Sequence, residues 1–133
     1  MAQLGFIEGV LAIAIPATTP ILLAALGEIL SERTGVLNLG VEGEMAVGAL
    51  AAFATAGMTG SPWLGLLVGI VAGLVLTIIH AVFVISLKSD TVITGVMITL
   101  LGVAVSTFFG VKWTGVSVPT FKQYTIPFIG EYL

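Results

Sequence analysis

The chain has 133 residues, of which 58% are hydrophobic and 8% charged, four Lys and Arg against seven Asp and Glu, and it contains no cysteine. A soluble domain carries roughly a quarter charged residues, so this composition, with a mean hydropathy of +1.21, excludes a water-facing surface and makes lipid the solvent. The missing cysteines exclude a disulfide framework, thiolate metal ligands and a Cys nucleophile, and a net charge of −3 without a basic stripe excludes a nucleic-acid partner.

A transmembrane helix needs about 20 mostly apolar residues to cross roughly 30 Å of hydrocarbon. Charge-free runs lie between Glu8 and Glu28, between Glu44 and Lys88, and between Asp90 and Lys112. The first predicts a crossing over 9–27. Pro16 and Pro20, with Thr18 and Thr19 between them, predict a bend in which neighbouring hydroxyls re-satisfy the freed carbonyls. No Lys or Arg precedes Arg33, so the charged n-region of a secretory signal peptide is missing.

The run 45–87 is too long for one helix, and Gly60-Ser61-Pro62 divides it as a turn, an N-cap serine and a proline at the first helical position. Residues 45–59 are too few to span, so the second crossing is predicted over 36–59 and the third over 63–87. That start draws Asn38, Glu42 and Glu44 into the first turns, where carboxylates complement the helix dipole and Asn38 acts as N-cap, on one face with Glu42. Gly35, Gly40 and Gly43 leave the same stretch open to a break, and broken helices beside polar residues are how transporters expose backbone groups. Asn38, Gly40, Glu42 and Gly43 are therefore candidates for a substrate pathway or helix break, and both readings stand at this point.

Crossing three carries Gly65, Gly69 and Gly73 at four-residue spacing, one bare face against which another helix backbone can pack. His80 lies on the same crossing, eight residues before Lys88 and well inside the membrane. It belongs away from lipid, either as a functional ionisable group in the pathway or as interhelical glue bonded to a backbone carbonyl or to Thr77. The fourth crossing is predicted over 91–111, capped by Ser89 or Asp90, and residues 112–133, interrupted by Pro119 and Pro127, read as an extended outer-face tail.

The expected fold is an all-α polytopic transmembrane helical bundle, a single transmembrane region over 1–133 with about four crossings and a second helix open to a break. Arg33 and Lys88 fall in alternate connections and place both in the cytoplasm with the N-terminus outside, although Lys112 and Lys122 balance them. Phe6, Trp63, Phe108, Phe109 and Trp113 all fall at the opposite ends, which supports the alternation. No HExxH, GxSxG, P-loop or GxGxxG occurs, so no enzyme and no metal site is expected.

The stretch Gly35-Val36-Leu37-Asn38-Leu39-Gly40-Val41-Glu42-Gly43, preceded by Leu26-Gly27-Glu28-Ile29 and Glu32-Arg33-Thr34, resembles the membrane permeases of bacterial ABC importers. The likeness continues through Met45, Gly48-Ala49, Trp63-Leu64-Gly65, His80-Ala81, Thr94-Gly95 to Gly102, Thr114-Gly115 and Ile126-Pro127. The group includes the branched-chain amino acid and ribose permeases, and the sequence is most similar to its nucleoside and simple-sugar type. Members are longer, so the chain looks like an N-terminal half, with the cytoplasmic coupling loop in the other half.

The resemblance implies a permease component in the bacterial inner membrane, forming part of a pathway for nucleosides or simple sugars by alternating access. It implies three partners: a second permease subunit, a cytoplasmic ABC ATPase and an extracytoplasmic solute-binding lipoprotein. It implies no cofactor in this chain, ATP being used by the separate ATPase. The alternative from the residues alone is a small oligomeric membrane protein, a pore or assembly factor. A proton-carrying ring subunit fits poorly, because every carboxylate falls near a predicted helix end.

Overall fold

The structure, a computed structural model, describes residues 2–122, with side chains from Gly5 onward. The part of the expected outer tail beyond Lys122, with Ile126-Pro127, lies outside the described residues. The chain divides into two compact units, one built on the first helix up to Leu30 and one running from Ser31 to Phe121.

Helix α1 spans Ala2–Arg33 and runs unbroken through Pro16 and Pro20. A proline lacks its N–H, which frees the carbonyls of Ala12 and Pro16. The hydroxyls do not reach these, contrary to the expectation. Thr18 donates to the Ala14 carbonyl at 2.7 Å and Thr19 to the Ile15 carbonyl at 2.9 Å, because a helical threonine returns to the carbonyl four residues before its own position. Residues 5–33 are long and apolar enough to cross a membrane, and Arg33 in the last turn complements the dipole.

The second unit begins with a tight stop. Thr34 and Gly35 donate their N–H groups to the Ser31 and Glu32 carbonyls at 2.9 Å each, and Gly35 takes φ +88°, a left-handed value that glycine adopts without strain. The Ser31 hydroxyl donates to the Val36 carbonyl at 2.7 Å, tying the emerging chain back to the helix end. Residues 36–40 are not helical, and α2 spans Val41–Thr59. The helix thus starts five residues later than the crossing predicted from 36. Gly60 closes α2 at φ +71°, its N–H on the Ala56 carbonyl.

Helix α3 spans Pro62–Ala81, with Ser61 as N-cap accepting from the Leu64 N–H and Pro62 at the start, as the sequence signals. A wide π turn, Val82–Ser86, carries the helical run on, and Lys88 follows at φ +53°. Asp90 then caps α4, Thr91–Gly110, its carboxylate accepting from the Ile93 N–H at 2.9 Å. A single 3-10 turn, Val111–Trp113, is the last helical element among the described residues.

Helix α2 lies between the other two. Gly65, Gly69 and Gly73 of α3 meet progressively earlier residues of α2, so those helices are antiparallel. Thr99 and Ser106 of α4 bond Leu39 and Ala46, so α2 and α4 are parallel. The buried apolar core is small, Ala56, Leu76 and Ile98, whereas Met58 and Phe108 are 78% and 76% exposed. So large an apolar exterior is untenable in water and suits lipid, where helix association rests on close packing and hydrogen bonds. Residues 62–86 and 91–113, like α1, are long and apolar enough to cross; α2, with Glu42 and Glu44 in its first turn, falls short of that apolarity.

Candidate functional site

Among the described residues, the polar and backbone groups converge where the chain enters α2. Asn38 sits in the non-helical segment, its Oδ1 accepting from the Gly40 N–H at 2.9 Å and its Nδ2 donating to Glu44 Oε1 at 3.1 Å. It is not the N-cap. Gly40 holds that position without a side-chain cap, since a Cβ there would lie 2.9 Å from both Asn38 Oδ1 and Ile98 Cγ2. Because residues 38–40 are not helical, Asn38 pairs with Glu44 and not with Glu42, which is exposed. Both carboxylates occupy the first turn of α2, at the positive end of its dipole.

Helix α4 holds this entrance by its backbone and hydroxyls. The Thr99 hydroxyl donates to the Leu39 carbonyl at 2.6 Å, a group ahead of the helical ladder. Seven residues on, the Ser106 hydroxyl donates to the Ala46 carbonyl at 3.1 Å. Midway between them Gly43 and Gly102 face each other so closely that a methyl group at Gly43 would lie 2.7 Å from Thr99 Cα, and one at Gly102 would overlap the Gly43 backbone. Gly95 stands against Leu39 in the same way. The contact between α2 and α4 is therefore peptide on peptide, with two hydroxyl clasps at its ends. A cleft of about 430 Å³ opens along this seam beside Ser106, floored by Ala46 and Leu50 and walled by Phe53, Trp113 and Thr114; its size suits a small solute.

The three glycines of α3 face α2 in graded closeness. A methyl group would meet the Ala52 carbonyl at 2.6 Å from Gly65, and Ala52 Cβ and the Gly48 carbonyl at 2.8 Å from Gly69, but at Gly73 the nearest atom is the Glu44 carbonyl at 3.6 Å. His80, two turns past Gly73, is 2% exposed. Thr77 bonds the Gly73 carbonyl at 3.2 Å and not the imidazole, and His80 Nε2 has no hydrogen-bond partner. The structure thus gathers Asn38, Gly40 and Gly43 into one cluster, leaves Glu42 outside it, and encloses His80 separately on α3.

The α4 side of this cluster was not singled out from the sequence. The signal was present in Gly95, Thr99, Gly102 and Ser106, a stripe of small and hydroxyl residues at spacings of four, three and four, which places them on one helix face.

Residues 10–133 match the family described as branched-chain amino acid transport system / permease component. The chain belongs to this family. It is similar to the "Putative glucose ABC transporter permease protein TsgC13" of Haloferax volcanii, with 52% identity over 98% of this chain and 40% of that protein. It is similar also to the guanosine ABC transporter permease protein NupQ of Bacillus subtilis, with 34% identity over 92% of this chain and 43% of that protein. The nucleoside ABC transporter permease protein NupC of Lactococcus lactis subsp. cremoris is 36% identical over 68% of this chain and 31% of its own length. The chain therefore spans less than half the length of these relatives. No solved structure matches it. As a family member it is a multi-pass membrane component with no catalytic chemistry of its own, and the peptide-on-peptide seam lies within the matched region.

Proposed function

We propose that the chain forms part of the membrane-spanning permease of an ABC importer and lines a pathway for nucleosides or simple sugars. The observation that carries this reading is the broken entrance to α2. The Gly40 N–H and the Leu39 carbonyl are held by the Asn38 side chain and by the Thr99 hydroxyl instead of a helical ladder. Bare glycine faces let the segment shift against α4 without reordering interlocked side chains. Non-helical backbone in a membrane protein is tolerated where it lies in protein or lines a cavity, and it supplies peptide groups to a moving element or a solute.

The solute class rests on the low charge of the helices and on the names of three relatives, of which one is a glucose and two are nucleoside or guanosine transporter permeases. A second permease subunit, a cytoplasmic ATPase that uses ATP, and an extracytoplasmic binding lipoprotein complete the importer. Asn38, Gly40, Glu42, Gly43 and His80 are the pathway and helix-break residues in this reading. Disrupting the gene should abolish energy-dependent uptake of labelled guanosine, glucose or both; unchanged uptake of sugars and nucleosides alike would sink the assignment.

The chain sits in the cell membrane with the N-terminus outside and the connections at Arg33 and Lys88 in the cytoplasm. A Ser89→Cys variant should then be shielded from an impermeant thiol reagent in intact cells and label only after permeabilisation. Labelling before permeabilisation would invert the orientation.

A further inference from the structure

The one buried side-chain nitrogen or oxygen without a hydrogen-bond partner among the described residues is His80 Nε2. His80 itself is 2% exposed, and a polar atom left unpaired in a dry interior is costly. Nothing in helix packing requires this cost, since an apolar side chain of similar size would fill the space. An enclosed, unmatched imidazole therefore needs an explanation in another state of the molecule.

The register of the helices shows what lies nearest along the seam. Moving along α3 from Gly65 through Gly69 to Gly73, the opposing residues move back along α2 from Ala52 and Ala56, through Gly48, to Glu44. His80 is seven residues, two turns, beyond Gly73 and on the same face. Because α2 and α3 are antiparallel, this end of α3 lies at the end of the unit where α2 begins, and there the non-helical segment 36–40 leads into α2. The same segment is backed from α4 by Gly95 and Thr99. A side chain able to donate or accept a hydrogen bond thus stands at the same end of the unit as the non-helical stretch.

We infer that His80 is a positioning residue for transport: its Nε2 is unpaired in the arrangement described and gains a peptide group of the 36–40 segment when that segment shifts during the cycle. The cost of the unpaired atom then biases the molecule towards the shifted state. This rests on the transporter reading above, and the test separates the two.

The complete transporter, with its ATPase subunits, is melted in detergent at rest and after trapping of the ATPase with ATP and vanadate, for the wild type, His80→Leu and His80→Gln. Leucine removes the unmatched atom, so the resting complex should melt higher than the wild type by a few degrees, and the trapped complex lower. Glutamine, whose amide can reach the same partner, should retain most of the wild-type gain on trapping. Equal shifts of both states by His80→Leu, no shift in either, or loss of assembly by both variants would make His80 a packing residue and overturn the inference. A wild type that assembles with no ATPase would instead sink the transporter reading, and this inference with it.

Discussion

Replacing Gly102 with alanine should cost the protein roughly 1–3 kcal/mol of stability, the penalty of forcing volume into a closed contact. A methyl group there would overlap the Gly43 backbone, and peptide atoms of two helices cannot turn aside as a side-chain tip can. The helices must separate, and the Thr99–Leu39 and Ser106–Ala46 bonds on either side of the contact stretch with them. Gly110→Ala is the matched comparison on the same helix, since a methyl group there would meet Leu50 Cδ1 at an ordinary 3.8 Å. Thermal melting of the purified protein in detergent should therefore lower the midpoint for Gly102→Ala and leave Gly110→Ala near the wild type. Equal midpoints would show that the two helices are not in peptide contact.

Gly69→Ile should destabilise the α2–α3 pair by a comparable or larger amount. Its first carbon alone would lie 2.8 Å from the Gly48 carbonyl and from Ala52 Cβ, before the rest of the branched side chain is placed. Gly73→Ala should be tolerated, because its nearest neighbour would stand at 3.6 Å. The sequence pattern treats the three glycines of this helix as equivalent, whereas the structure makes Gly65 and Gly69 tight and Gly73 loose. An unchanged melting midpoint for Gly69→Ile would remove the close contact, and a loss at Gly73→Ala equal to that at Gly69 would remove the gradation.

Much of the fold was legible because lipid imposes a strong pattern. Long apolar runs between isolated charges, Ser61-Pro62 at one helix start and Asp90 at another, are local signals that survive without knowledge of the partners. The start of α2 was not legible in this way. Span length argues for helix from 36, but Gly40 has no room for a side chain while Ile98 stands opposite it, and the Leu39 carbonyl is satisfied by a hydroxyl 60 residues away. Neither constraint is visible locally, so Asn38 was read as a cap when it bridges Gly40 and Glu44.

The candidate site was half legible for the same reason. Polar residues and glycines at 38–44 stand out in an apolar sequence, while their partners on α4 are a stripe of small residues that apolar helices often carry. His80 stood out as an ionisable residue, but its lack of a partner appears only when the neighbours are in place.

The central claim, that the 36–40 segment moves against α4 during transport, is tested most directly by fastening the two together. The chain has no cysteine, so a Gly40→Cys/Ile98→Cys pair within it is unambiguous. A Cβ at Gly40 would lie 3.0 Å from Ile98 Cβ, about half an ångström short of the usual range of roughly 3.5–4.5 Å for a disulfide, a difference that a small separation of the two backbones makes up. Uptake of labelled guanosine or glucose by the complete transporter should be present in the reduced pair, fall to background on oxidation and return with reductant. Undiminished uptake by the fully oxidised protein would contradict the account.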